Sequence, residues 1–217
     1  MQIAFVLYPG FTGLDALGPY EFLKMVPEAD VRFLADKKGP VPTDRGILTV
    51  EATHSFEETP SPDLLLVPGS EAETGTAMKD ENLLNWLRTA HETSRWTTSV
   101  CSGSLILAAA GLLKGRPATS HWIAQGLLEK YGAKSRPHDR VVQSGKLWTA
   151  AGVSAGIDLA LSLLMEICGR EKTEIIQLLL EYDPQPPLDG GHPDKASPDI
   201  FAKAKAEMLA LAQTRKS

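Results

Sequence analysis

The chain has 217 residues, of which 43% are hydrophobic and 23% charged, and its formal net charge is -5. This composition supplies a sizeable core, so we predict one domain over residues 1–217. The acidic balance gives no electrostatic basis for binding nucleic acid or an anionic membrane. We therefore expect small-molecule partners, no nucleic acid and no membrane.

Cysteine usage and the N-terminus together indicate the compartment. Cys101 and Cys168 are the only cysteines, which is too few for a disulfide framework or a cysteine-rich metal site. The N-terminal apolar run is strand-sized and has no basic residues before it, and no run approaches the roughly 18 residues of a membrane span. We expect a cytoplasmic protein that is neither exported nor inserted.

The first half of the chain alternates strands with helices. A near-continuous apolar run, "QIAFVLY", stops at Pro9-Gly10 and is typical of a strand buried on both faces, and "TGLDALGPYEFLKMV" follows with helical spacing. The stretches "DVRFLA" and "PDLLLVPG" predict further strands, and "ILTVEA" alternates as an antiparallel excursion would. A helix, "DENLLNWLRTAHETS", begins with acidic residues that suit the positive end of its dipole.

The second half continues the alternation. A strand, "TTSV", leads into the helices "SGSLILAAAGLL" and "HWIAQGLLEKYG", and a hairpin is predicted with its turn near Ser144-Gly145. Two helices follow, "AGIDLALSLLMEICG" and "EKTEIIQLLLEY", then a Pro/Gly-rich arm at about 183–199 and a C-terminal helix. Together the elements predict an α/β fold with a mostly parallel sheet and helices on both faces.

One cysteine stands where a strand turns into a helix. Small residues lie two positions before and after Cys101, namely Ser99 and Gly103, as the sharp turn of a nucleophile elbow requires. A helix N-terminus lowers a thiol pKa, so we expect a reactive Cys101. A free cysteine is otherwise often a small core residue, and Cys168, in an apolar helical stripe, is expected to be one.

Two loops should meet the elbow at the carboxyl ends of the parallel strands. The loop after the first strand carries Asp15, which either caps its helix or faces Cys101, sharing a proton with the thiol. The turn after "LLLVP" carries Gly69 and Ser70. Backbone N–H groups from this turn and from Ser102 are expected to bind negative charge developing on a substrate.

The histidines are less informative. His121, in "ATSHW", is either a base paired with the cysteine, a substrate-binding residue or a histidine held at a helix start. The others stand singly in polar or loop contexts and are expected at the surface: His54, His91, His138 and His192. Phe11, Leu14 and Trp122 are candidates for the pocket wall. No metal site is expected.

Several stretches together resemble the ThiJ/PfpI superfamily, whose fold is similar to that of class-I glutamine amidotransferases. They are "FVLYPGFTGLDALGPYEFL", "LLLVPG", "SVCSGSLILAAAGLLKGRPATSHW", "AAGVSAGIDLALSLL" and "LLEYDPQPP". The resemblance spans residue 3 to about 190 and implies a flavodoxin-like three-layer sandwich, usually a homodimer. Within the superfamily it is closest to the isonitrile hydratases, through the "LD-x-x-GP" loop, "ATSHW" and "EYDPQPP".

This resemblance implies hydration of an isonitrile to an N-substituted formamide without a cofactor. The residues it implies are Cys101 as nucleophile, Asp15 as acidic partner and Ser102 as the hydroxyl next to the nucleophile, where such hydratases often carry threonine. Another departure is Ser70, where many relatives have a second glycine, which bears on substrate preference. Our hypothesis is a thioimidate intermediate on Cys101, formed as Asp15 protonates the isonitrile carbon.

Other activities occur in the same superfamily. Glyoxalase-like or deglycase-like chemistry is the main alternative, although such enzymes commonly carry glutamate where this chain has Asp15. A free-standing redox or small-molecule sensor would use the same cysteine. A DNA-binding sensor is not expected, because the chain lacks basic character and a helix-turn-helix segment.

Overall fold

The computed structural model describes residues 1–214. The strands are β1 (Gln2–Val6), β2 (Asp30–Ala35), β3 (Gly39–Pro42), β4 (Thr49–Ala52), β5 (His54–Ser55), β6 (Leu64–Val67), β7 (Trp96–Ser99), β8 (Pro117–Ala118), β9 (Lys134–Ser135), β10 (Val141–Ser144) and β11 (Leu147–Ala150). The helices are α1 (Gly13–Leu23), α2 (Thr74–Ala77), α3 (Glu81–Thr93), α4 (Gly103–Ala109), α5 (Gln125–Lys130), α6 (Ala155–Leu179) and α7 (Pro198–Thr214), with a 3₁₀ turn at Trp122–Ala124.

Seven strands form the central sheet in the order β10-β11-β7-β6-β1-β2-β5. All neighbouring pairs are parallel except the β10–β11 hairpin at one edge. The fold is therefore the expected α/β sandwich with a mostly parallel sheet. Parallel β1, β6 and β7 are neighbours, so their carboxyl ends bring three loops to one edge.

Side chains of the buried strands alternate between two cores. On β1, Ile3 and Phe5 pack with residues of α1 and α6, whereas Ala4 and Val6 pack with residues of α3, α4 and α5. This alternation follows from the two-residue period of a strand. It explains why the strands read as continuous apolar runs, since a sheet covered on both faces has no polar side.

Most predicted elements are present, with informative differences. The C-terminal pair of helices is one long element, α6, broken at Gly169, where φ is +78°. The predicted alternating strand is β4, which pairs with β3 in a separate two-stranded sheet. The chain between Leu179 and Pro198, which includes most of the predicted arm, contains no helix or strand. The predicted C-terminal helix corresponds to α7, and residues 215–217 of that prediction lie outside the described part of the chain. Within residues 1–214, no helix is both long and apolar enough to cross a lipid bilayer.

Candidate active site

The turn between β7 and α4 is a nucleophile elbow with Cys101 at its apex. Cys101 has a φ of +58°, which non-glycine residues rarely adopt. Its N–H donates to the carbonyl of Ala151 at 2.9 Å, and its carbonyl accepts from the Ser120 hydroxyl at 3.0 Å. The strained backbone is thus held by hydrogen bonds to two neighbouring segments.

Small residues are necessary around this elbow. A Cβ atom at Gly103 would lie 2.2 Å from the carbonyl oxygen of Val67, and one at Gly69 would lie 2.6 Å from the backbone nitrogen of Ser102. Both distances are far below van der Waals contact, so a side chain at either position would displace backbone. Ser99, the predicted small residue before the cysteine, is fully buried.

Asp15 lies in the first turn of α1 and faces the elbow. Its carboxyl is 0% exposed, and Oδ2 accepts a hydrogen bond from the Gly69 N–H at 2.8 Å. Oδ1 is buried and has no hydrogen-bond partner among the described residues. Thr12, and not Asp15, is the N-cap of α1, so capping is not the role of this aspartate.

Burial raises the pKa of Asp15 to about 7, because a charged carboxylate is poorly solvated there. The Gly69 N–H and the Cys101 side chain oppose this rise, and the charge of Asp44 adds to it. A carboxyl group with this pKa holds a proton in a large fraction of molecules at neutral pH. That is the property expected of a proton donor beside a nucleophile.

The thiol of Cys101 differs from the expectation of a lowered pKa. Burial, and then the charge of Asp15, raise the pKa of Cys101 far above its ordinary value, although the N–H groups of Val153 and Ser102 act in the opposite direction. The helix-terminus effect is overcome because Cys101 is only 5% exposed and lies beside a carboxyl group. A proton is therefore retained within the Asp15–Cys101 pair, which titrates as a unit.

The N–H groups expected to bind negative charge have other partners. The Gly69 N–H is donated to Asp15, and the Ser70 N–H is donated to the Ser102 Oγ at 3.1 Å. Neither N–H of the Gly69–Ser70 turn is therefore free to bind an anion in this structure. The other predicted donor, the N–H of Ser102, faces the sulfur.

Hydroxyl groups lock the loop after β6 to the elbow. The Ser102 Oγ lies 2.6 Å from the Thr74 Oγ1 and also contacts the Ser70 carbonyl at 3.3 Å. The Ser70 hydroxyl points elsewhere, donating to the Gly10 carbonyl at 2.6 Å and accepting from the Glu73 N–H at 2.8 Å. The side chain at position 70 therefore joins two loops and does not fill the space over the sulfur.

His121 stands beside the elbow without pairing with it. Burial lowers its pKa, and its Nδ1 accepts a long hydrogen bond of 3.4 Å from the Ile123 N–H. Its ring packs so closely on Gly152 that a Cβ there would lie 2.7 Å from the ring. No hydrogen bond among the described residues joins His121 to Cys101, so the geometry favours a neutral wall residue over a Cys-His pair.

A cavity of about 1010 Å³ is lined by segments that contact the elbow, although Cys101 and Asp15 are not among its lining residues. Its inner wall includes Ser120, Ala151 and Val153, each of which contacts Cys101 through a backbone or hydroxyl group. Its outer wall comes from the Pro/Gly-rich arm. The remaining lining includes His121, Trp122, Ile157, Tyr182 and Leu188. Of the predicted wall residues, Trp122 lines it, whereas Phe11 is fully buried in the core and Leu14 is surface-exposed.

Tyr8 is a site residue that the sequence did not reveal. It ends the apolar run of β1, is buried, and donates its hydroxyl to the Pro68 carbonyl at 3.0 Å. Burial and then the charge of Asp15 raise its pKa, so it stays a neutral donor near the pair. The available signal was a tyrosine at the end of a buried apolar run, directly before Pro9-Gly10. It also borders a second cavity, of about 440 Å³, together with Gly10 and Glu73.

A buried cysteine on a strained elbow, with a carboxyl group beside it at the edge of a parallel sheet, defines an α/β protein of the elbow-nucleophile class. Residues 1–166 match the DJ-1/PfpI family, and the chain belongs to that family.

Relatives extend the likeness over nearly the whole chain. The chain is 42% identical over 205 residues to the isonitrile hydratase of Pseudomonas putida, covering 94% of this chain and 89% of the relative. It is 32% identical over 172 residues to the HTH-type transcriptional regulator CdhR of Pseudomonas aeruginosa, covering 76% of this chain and 50% of the regulator.

Solved structures agree with this assignment. A ThiJ/PfpI family protein from Pseudomonas syringae superposes with a TM-score of 0.91 at 36% identity, covering 98% of this chain and 89% of that one. Drosophila melanogaster DJ-1beta superposes with a TM-score of 0.76 at 19% identity, covering 84% and 98% respectively, which shows a shared fold.

Proposed function

We propose that this chain is an isonitrile hydratase, which adds water to an isonitrile, R–N≡C, to give the formamide R–NH–CHO. The observation that carries the proposal is the Asp15 carboxyl, buried beside the Cys101 thiol with a pKa of about 7. Support comes from the 42% identity to an isonitrile hydratase over nearly the full length of both chains.

The chemistry requires a nucleophile and an acid at one carbon atom. The terminal carbon of an isonitrile carries a lone pair, so it must gain both a proton and a bond to the nucleophile. In the Asp15–Cys101 pair with one proton, that proton lies either on sulfur or on the carboxyl group. The second arrangement, a thiolate next to a carboxylic acid, is the one that reacts.

In the first step, the Cys101 sulfur forms a bond to the terminal carbon while Asp15 delivers its proton to the same carbon. One C–N π bond becomes the nitrogen lone pair. The product is a thioimidate, R–N=CH–S–Cys101, with Asp15 now a carboxylate. No metal or organic cofactor takes part in this route.

In the second step, Asp15 acts as a base. It takes one proton from water as the water oxygen bonds to the thioimidate carbon, and it passes that proton to the nitrogen, which becomes R–NH. The C–S bond then breaks as Asp15 takes the remaining hydroxyl proton, so that the carbonyl of the formamide forms, sulfur leaves as the thiolate and the pair again holds one proton. The unpartnered Oδ1 of Asp15 is the atom we assign to these proton transfers.

The neighbouring groups position this pair. The N–H groups of Ser102 and Val153 favour negative charge on the sulfur, so they stabilise the reacting thiolate. The Ser102 hydroxyl, already bonded to Thr74 and to the Ser70 N–H, fixes the turn that holds these donors. We assign Gly69 to the orientation of Asp15 and not to the substrate.

The 1010 Å³ cavity is the proposed site for the group R. Trp122, Ile157, Tyr182 and Leu188 give it apolar surface, and its inner wall reaches residues that contact Cys101. Since an isonitrile is linear at its reactive end, R would lie in the cavity while the terminal carbon approaches the sulfur. His121, neutral because burial lowers its pKa, is assigned to this wall.

The assembly and compartment that we propose follow the family resemblance: a homodimer in the cytoplasm. Exposed apolar side chains around the start of α1 support an interface there, since Leu14 is 48%, Ile47 92% and Leu48 49% exposed. Sedimentation velocity should give the mass of two chains. A mass of one chain at micromolar concentration would refute the dimer.

The proposed activity is tested by offering two substrates to the purified protein. Cyclohexyl isocyanide should be converted to N-cyclohexylformamide, and methylglyoxal should give no lactate. Conversion of methylglyoxal with no formamide formed would favour glyoxalase-like chemistry on the same elbow.

A further inference from the structure

Two histidines that stand far apart in sequence meet one carboxylate. The His138 Nδ1 lies 2.7 Å from the Asp194 Oδ2, and the His192 Nδ1 lies 3.5 Å from the same oxygen. One ligand atom from each of the three side chains falls within 4.8 Å of the others. His138 precedes β10, whereas His192 and Asp194 belong to the Pro/Gly-rich arm. Because His138 and His192 are not the isolated histidines that the sequence indicated, the cluster needs its own explanation.

The donor set is that of a transition-metal site. Two imidazoles and one carboxylate are common ligands of Zn²⁺, which binds nitrogen at about 2.0–2.1 Å and carboxylate oxygen at about 2.0–2.2 Å. Mg²⁺ and Ca²⁺ prefer oxygen ligands only. Ligand atoms this close together can reach one ion by small side-chain rotations, leaving one tetrahedral position for water.

The charges around the cluster leave Asp194 available. Among the described residues, the nearby cations have carboxylate partners of their own, with Lys195 paired to Asp189 at 2.6 Å and Arg140 paired to Asp158. Within the described part of the chain, the basic side chains that contact the Asp194 carboxylate are the two histidines. Its negative charge is therefore not neutralised by lysine or arginine, and it favours a bound cation.

The cluster also joins the arm to the rest of the fold. Among the described residues, two side-chain hydrogen bonds join segment 183–197 of the arm to earlier segments. They link Asp194 to His138, and His192 to the Pro137 carbonyl at 3.4 Å. Both histidines line the 1010 Å³ cavity. An ion at this point would link the arm to the segment that precedes β10. It would thereby restrict the motion of a segment that has no helix or strand.

We propose that His138, His192 and Asp194 form a binding site for one divalent transition-metal ion of the Zn²⁺ type, which fastens the arm across the cavity. The site is independent of the Asp15–Cys101 pair and of the reaction that the pair performs. The bound ion would restrict the motion of the arm, and it would take no part in the reaction at Cys101.

Calorimetric titration of the EDTA-treated full chain with Zn²⁺ tests the site. We expect one saturable site per chain, bound at least tenfold more weakly in each of His138→Ala, His192→Ala and Asp194→Asn, with no response of the wild type to Mg²⁺. His54→Ala removes a histidine on β5, away from the cluster, and should bind Zn²⁺ as the wild type does.

Amide hydrogen exchange is the second measurement, and it tests whether the ion restricts the arm. Zn²⁺ should slow amide exchange in segment 184–197 of the wild type at least threefold and have no such effect in His192→Ala. The proposal is overturned if the wild type shows no saturable Zn²⁺ binding. It is also overturned if binding is unchanged in His138→Ala and is lost instead when the thiols are alkylated, which would place the ion at a cysteine.

Discussion

The N–H of Gly69 donates a hydrogen bond of 2.8 Å to Oδ2 of Asp15. One oxygen of a fully buried carboxyl group is thereby held by backbone, and the other has no hydrogen-bond partner among the described residues. A carboxylic acid tolerates this arrangement better than a carboxylate, because only the neutral form avoids an unsolvated charge. Asp15 is therefore expected to control both the rate and the pH dependence of stability.

Replacing Asp15 by Asn should remove most of the activity. Asparagine keeps an oxygen for the Gly69 N–H but cannot deliver or take a proton, so we expect formamide formation to fall by about 10²–10⁴-fold, the usual size of an acid–base contribution. The rate is measured with cyclohexyl isocyanide. Asp199→Asn, at an exposed carboxylate on α7, should keep the wild-type rate. Near-normal turnover in Asp15→Asn would exclude Asp15 as the proton carrier.

The same variant should be more stable than the wild type at alkaline pH. The folded pKa of Asp15, about 7, exceeds its ordinary value of 3.8, so the wild type loses stability as pH rises through about 7 and has the full stability below about 4. Asn carries no charge at any pH. The variant should therefore gain a few kcal/mol at pH 8, on the order of 1.4 kcal/mol for each pKa unit, and little at pH 4. Urea unfolding at both pH values measures the difference, and an equal difference at both would contradict the shift.

The rate should depend on pH through the pair. Below about pH 7 both the thiol and the carboxyl group hold protons, so no carboxylate is available to accept the proton of the thiol. kcat/KM should therefore fall nearly tenfold per pH unit below about 7 and level off above it. A profile that is flat from pH 5 to 9, or that declines between pH 6 and 8, would show that another ionisation controls the rate.

Gly103→Ala tests the steric requirement of the elbow. Its Cβ would lie 2.2 Å from the carbonyl oxygen of Val67, so backbone must move, and we expect a loss of about 3 kcal/mol or more in unfolding free energy together with loss of activity. Gly126→Ala is the matched control, because this glycine on α5 has open space around it and no positive φ. The control should be neutral or stabilised by up to about 1 kcal/mol. Equal stability of both variants would refute the close packing.

Thr74→Val tests the hydroxyl network behind the nucleophile. Valine keeps the shape of threonine but removes the hydroxyl that lies 2.6 Å from the Ser102 Oγ. We expect about 1 kcal/mol less stability from the lost hydrogen bond and a reduced kcat with KM little changed. Thr76→Val, which removes a hydroxyl bonded to exposed Glu73, serves as the control. A kcat equal to that of the control would mean that Thr74 does not position Ser102.

Local sequence patterns predicted the features that depend on neighbours in the chain. The elbow could be recognised because Cys101 lies between an apolar strand and a helix with small residues around it, and the carboxyl ends of parallel strands brought Asp15 and Gly69 to the same edge. Gly169, where the two predicted helices meet, is where the helix is broken.

Features that depend on burial and on long-range contacts could not be predicted. The thiol pKa is set by the solvation of Cys101 and its distance from Asp15, and neither is visible in the sequence. The partners of the Gly69 and Ser70 N–H groups lie 54 and 32 residues away. The meeting of His138 with Asp194, 56 residues apart, depends on the path of an arm without regular structure.

The most direct test of the account is the rate of formamide formation from cyclohexyl isocyanide by Cys101→Ala, measured beside the wild type at pH 8. Alanine preserves the small size that the buried apex needs but removes the sulfur that forms the thioimidate. We predict turnover by the wild type and none above the uncatalysed rate in the variant. Formamide formation at comparable rates by both proteins would contradict the central role of Cys101.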